Sequence, residues 1–130
     1  MKKTIIATVV VFVVWQILDY IIHGVILMST YEATSNLWRS QEEMKMGLMW
    51  IVGIIAAFVF VSIYARYFAK KDIGTGLKYG IWFGIGTGVS MGYGSYSVMP
   101  IPYSMALTWF LGTVIEMGVA GIITGAIVKE

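Results

Sequence analysis

A few polar side chains interrupt otherwise apolar sequence, and their spacing is the first sign of chemistry. Gln16, Asp19, Tyr20 and His23 recur at i, i+3, i+4 and i+7, which places them on one face of a helix. Glu116 stands in a second apolar stretch, with Thr108 and Gly112 on its i, i+4 row. Within a hydrocarbon layer an ionised Asp at mid-helix costs at least about 2.5 to 3.5 kcal/mol, so this stripe should face a bundle interior and its default reading is an ion or proton pathway. A rise of about 1.5 Å per residue puts Asp19 and Glu116 at compatible depths, with His23 one turn further out and able to share a proton with either acid. The predicted proton or cation site is Asp19, His23 and Glu116, with Gln16 and Tyr20 beside them. Ser90, Tyr93, Ser95, Ser97, Thr108 and Thr113 all fall in the outer halves of their stretches, which predicts a polar cavity opening to the outer face. Two other readings stay open: an Asp–His pair that only fixes helix register, and a redox, lipid or quinone role.

Other chemistries have less to stand on. Cysteine is absent and histidine occurs once, so thiolate sites are excluded and a bis-histidine haem needs two chains. Met28, Met44, Met46, Met49, Met91, Met99 and Met105 lie toward the outer face, where thioethers can bind copper(I). The Met44, Met46 and Met49 cluster is the candidate there, although methionine is also an ordinary core filler. There is no nucleophile–base pair, no H-E-x-x-H motif and no phosphate-binding loop, so neither an enzyme nor a resident cofactor is expected.

The elements that must position these residues are membrane helices. The 130 residues are 58% hydrophobic and 12% charged, against about a quarter charged in a soluble domain. Four stretches reach the roughly 20 residues that a spanning helix needs: about 4–28, 47–68, 75–98 and 103–128. The expectation is one all-α domain over residues 1–130, a four-transmembrane-helix bundle. Lys2 and Lys3 precede the first stretch as in a secretory signal, but no small-residue cleavage site follows, and it is read as a retained span. Lys2, Lys3, Arg66, Lys70, Lys71, Lys78 and Lys129 fall on one side and only Arg39 and Lys45 on the other. That bias predicts both termini in the cytoplasm of a bacterial-type inner membrane, and the net charge of +2 leaves no footprint for nucleic acid.

The connections carry their own signals. The outer loop, 29–46, contains Ser29–Glu32 and Ser40–Glu43, both with the Ser-x-x-Glu spacing of a capping box. They predict a short surface helix near 31–37 and a capped start to the second span. Trp38 beside Arg39 suits a membrane interface, and Pro100 and Pro102 keep the last two spans from fusing. In the third span Gly76, Gly80, Gly84, Gly88 and Gly92 recur every fourth residue, with Gly121 and Gly125 as counterpart in the fourth. This is the pattern of close helix packing, within a chain or between chains, and a groove for a flat cofactor or lipid is the lesser alternative. The expected partners are membrane lipids and either further copies of the chain or a larger membrane complex.

Four spans, a short chain and an acid at Asp19 in the first span resemble the small multidrug resistance transporters, a resemblance of architecture. It implies that a first-span carboxylate exchanges protons for a cationic drug. Residues 19–39, from Asp-Tyr-Ile-Ile-His-Gly to Asn-Leu-Trp-Arg, are similar to small uncharacterised bacterial four-span proteins, which implies a fold and no activity. The functional expectation is a proton- or cation-coupled channel or transporter element, with an accessory subunit and a copper(I), haem or quinone binder as alternatives.

Overall fold

The computed structural model describes residues 1–40 and 42–129. Gln41, within the Ser40–Glu43 pattern, lies outside the described residues. Helix α1 spans Lys2–Ile21 and continues through a π-turn at Ile22–Ile26. A short α2, Met28–Ala33, and a 3₁₀ turn, Ser35–Leu37, follow. Then come α3, Met46–Tyr67, and α4, Ile73–Val89, which runs through a second π-turn, Ser90–Gly94, into α5, Ser95–Val98; α6, Tyr103–Ile127, completes the fold. Among the described residues there is no strand. Three helical segments are long and apolar enough to cross a membrane: Lys2–Ile26, Met46–Tyr67 and Tyr103–Ile127. The fourth, 73–98, is not among them; glycine, serine and tyrosine dilute its apolar residues.

The glycines decide the closest packing. α4 and α6 share the most extensive contact in the chain, because their backbones meet where side chains are missing. A Cβ on Gly76 would strike the Gly121 carbonyl, one on Gly80 the Met117 carbonyl, and one on Gly92 the Ala106 carbonyl at 2.5 Å. A Cβ on Gly125 would lie 2.5 Å from the Asp72 carbonyl, and one on Gly84 2.8 Å from Val114 Cα. In lipid, where apolar burial between helices drives little, such contact supplies the dispersion attraction that holds helices together. The glycine face is thus taken up within the chain, by its own last helix.

α1 packs against both α3 and α6. Near the termini Ala7, Val11, Trp15, Ala57, Phe60, Val61 and Tyr64 form one core. There α3 and α4 are joined by aromatic side chains: Tyr79 stacks on Phe60 at 4.6 Å and donates its hydroxyl to the Phe60 carbonyl at 2.8 Å. Tyr64 donates to the Asp72 carbonyl at 3.0 Å. Toward the other end α3 loses its neighbours, and from Met46 to Val59 only Ala57 is buried.

The capping expectations need correction. α2 begins at Met28 after Leu27, ahead of Ser29, and takes no side-chain cap. α3 begins after Lys45, also uncapped, while Ser40 spends its hydroxyl on the Glu43 carboxylate at 3.2 Å. The expected 31–37 helix is split by Thr34, whose hydroxyl bonds back to the Thr30 carbonyl at 2.9 Å, a local competition typical of this residue. The cap that does form is Asp72, which accepts the Thr75 N–H at 2.7 Å. That bond, with the exposed Lys70 ammonium 3.6 Å away, holds the Asp72 carboxyl below its usual range.

Candidate functional site

At the end away from the termini the loop folds back onto the bundle. Leu27, Ile101, Met105 and Ala106 are buried there, with Tyr31, Leu37, Trp38 and Trp109 packed on them. Tyr31 meets Trp38 edge-on at 5.5 Å, and Trp38 meets Trp109 edge-on at 6.0 Å. The Trp38 N–H donates to the Thr34 hydroxyl at 2.9 Å. These rings roof the region where α1 approaches α6.

Beneath the roof lie the ionisable groups. Ile22, first residue of the π-turn, presses into Gly112, where a Cβ would stand 2.9 Å from its Cδ1, and this brings α1 against α6 one turn from Glu116. The Glu116 and Asp19 carboxyls lie close enough to interact. A hydrogen bond between two carboxyls needs a proton on one of them, because carboxylates offer only acceptors. The Trp15 indole, one turn along α1, donates to the Glu116 carbonyl at 2.9 Å and fixes the height of the two helices.

His23 is the exposed member of the group. Its Nδ1 lies 2.6 Å from the Tyr31 hydroxyl, so the imidazole bonds to the loop, and Asp19 takes Glu116 as its partner. The Trp109 N–H donates to the same Tyr31 oxygen at 2.7 Å. Burial pushes the Tyr31 phenol up, against the opposing effect of the Trp109 N–H, so it keeps its proton at neutral pH. A cavity of about 20 Å³, lined by Ile22, His23, Met91, Trp109, Thr113 and Glu116, lies between these groups. It has room for about one water, with polar partners enough to hold it.

The predicted stripe divides. Asp19, Glu116 and His23 come together. Gln16 turns toward α3, its Nε2 3.3 Å from where a Gly53 Cβ would be. Tyr20 is 68% exposed, its ring lying along Gly24. Thr113 and Ser97 bond to carbonyls of their own helices, at 2.7 Å and 2.8 Å. Met44, Met46 and Met49 are exposed at the start of α3, and none of them lines the cavity beside His23. Sequence reading missed Tyr31 and Trp109 and did not single out Met91. Tyr31 was detectable only as an aromatic inside the most polar loop, and Met91 as one thioether among several.

Comparison with known proteins returns no matching family model, no matching curated protein and no matching solved structure. The site is therefore read from its own chemistry.

Proposed function

We propose that the chain is a four-span bundle of a bacterial-type inner membrane, both termini cytoplasmic, in which Asp19, Glu116 and His23 carry protons or small cations entering from the outer face. The single observation that carries this reading is the Asp19–Glu116 carboxyl contact inside the bundle, beside a water-sized cavity lined by the exposed His23. A carboxyl pair sharing one proton can exchange it for another, and an exposed imidazole is suited to deliver it. The basic residues favour the orientation. At about 1.5 Å per residue the segment 73–98 is roughly 39 Å long, enough for a hydrocarbon core of about 30 Å, which favours it as the fourth span.

The test is proton uptake by dye-loaded vesicles containing the purified protein under an imposed potential. Asp19→Asn and Glu116→Gln should each cut uptake at least tenfold while leaving helix content and melting intact. Undiminished uptake in both variants sinks the proposal. A second reading, an accessory subunit, is favoured by the largely exposed stretch of α3 from Met46 to Val59. Native mass spectrometry of protein gently extracted from its own membrane separates the two: companion chains at fixed stoichiometry support the subunit, and the chain free of companions supports transport.

A further inference from the structure

Helix α1 ends in a π-turn, Ile22–Ile26, and α4 runs through a second, Ser90–Gly94, into α5. Single π-turns within α-helices are uncommon and occur frequently at functional sites, because the inserted residue re-aims its neighbours. Here each carries one soft or borderline metal donor: His23 in the first and Met91 in the second. Both line the same cavity of about 20 Å³, with the Glu116 and Thr113 side chains between them. Met91 Sδ lies 4.0 Å from the Thr113 hydroxyl, which places the thioether at the cavity wall.

We infer that this cavity is a binding site for a single soft monovalent metal ion, copper(I), with His23 Nε2 and Met91 Sδ as its two ligands. The donor set favours that ion: a thioether favours copper(I) over calcium or magnesium, and imidazole suits copper as well. The surroundings of His23 match those of a metal-bound histidine, whose second ring nitrogen is usually held by a hydrogen bond. The Tyr31 oxygen, already accepting from Trp109, has a second acceptor position for an Nδ1–H, and that tautomer leaves the Nε2 lone pair for the metal. Tyr31 is thus a positioning residue for the site. The volume suits one small ion and excludes a haem. The three methionines near the start of α3 take no part, since they stand outside the cavity. The inference shares His23 with the proton reading and differs from it in needing Met91, which that reading does not use.

The test uses the full-length protein in lipid nanodiscs. Copper(I) under reductant is titrated in competition with a chromogenic chelator, and silver(I), a redox-inert stand-in, is followed through the NMR signals of the chain's single histidine. One ion per chain is expected, with sulfur and nitrogen neighbours in the copper X-ray absorption spectrum. Met91→Leu and His23→Asn should each weaken binding at least tenfold, the former with loss of the sulfur signal. A triple variant, Met44→Leu with Met46→Leu and Met49→Leu, should bind as the parent does. Met91 and His23 are both exposed, so these variants are expected to keep parental helix content and melting. If either does not, Tyr31→Phe replaces it, and should weaken binding without removing the sulfur neighbour. Absence of binding, a copper spectrum without sulfur, or loss of binding in the triple variant with Met91→Leu unaffected overturns the site. Asp19→Asn, which cuts uptake at least tenfold in the proton reading, should leave Met91-dependent binding in place, so each idea can fail alone.

Discussion

Adding one methyl group at Gly80 should separate the two helices that pack most closely, and adding one at Gly86, two turns along the same helix, should not. At Gly80 the new Cβ strikes the Met117 carbonyl, with the carbonyl carbon at 2.8 Å and Gly118 Cα at 3.1 Å; at Gly86 nothing lies within 4 Å. Ordinary contact begins near 3.4 Å, so the carbonyl carbon alone demands a shift of about 0.6 Å, and the oxygen demands more. Backbone cannot swing aside as a side-chain tip can, so α4 and α6 must part along their seam. A gap of about 0.5–1 Å forfeits a quarter to a half of each dispersion contact across it, and overpacking of this kind costs about 1–3 kcal/mol. Alanine also favours a helix over glycine by about 0.5–1 kcal/mol, which offsets part of the loss at Gly80 and is the whole effect at Gly86. Gly80→Ala is expected to be net destabilising and Gly86→Ala neutral or stabilising, a difference of about 1–3 kcal/mol once the shared propensity gain cancels. The assay is unfolding in mixed micelles of rising SDS fraction, followed by far-UV circular dichroism. Equal midpoints for the two variants would refute the close α4–α6 packing.

Two further predictions rest on single hydrogen bonds. Asp72→Ala removes the cap of α4, so the first amides from Ile73 should exchange faster with solvent while those near Val89 do not. Because the Asp72 carboxyl titrates lower in the folded protein than in the unfolded chain, its contribution is present above the unfolded value and is lost as pH falls through the folded one. Protection of those amides should therefore fade in acid, and fading equally in Asp72→Asn would contradict the assignment. Tyr79→Phe keeps the stacked ring but deletes the bond to the Phe60 carbonyl, at an expected cost of about 0.5–1.5 kcal/mol, read from the same micelle titration; no change would show that the ring alone joins α3 to α4.

The sequence was most informative where a physical rule acts along one helix. Apolar runs set the extents of α1, α3 and α6, and glycine every fourth residue marked the face of α4 that another backbone approaches, down to Gly121 and Gly125 opposite it. Asp19 and Glu116 stood out because an intramembrane acid has few tolerable neighbours. What escaped depends on geometry between elements. The π-turns at Ile22–Ile26 and Ser90–Gly94 have no compositional signature, and the first re-aims His23 relative to Gln16, Asp19 and Tyr20, which precede it on regular helix. The capping boxes failed because the Ser-x-x-Glu spacing specifies a cap only where a helix starts at that serine, and tertiary contacts moved those starts. His23 found Tyr31 because the loop doubled back over the bundle, a fold governed by buried Leu27 and Ile101 far apart in sequence.

The meeting of Asp19 with Glu116 joins the first helix to the last, 116 − 19 = 97 residues apart, and this has a consequence for biosynthesis. At about 5–20 residues per second, roughly 5 to 20 s pass between synthesis of the first acid and synthesis of its partner. Throughout that interval α1 holds an acid whose mid-membrane cost is about 2.5–3.5 kcal/mol when charged, so it must stay protonated, sit near the interface or be sheltered by the insertion machinery. A nascent chain halted before α6 leaves Asp19 without Glu116 opposite it. The contact between the first helix and the last can therefore form only when the chain is nearly complete.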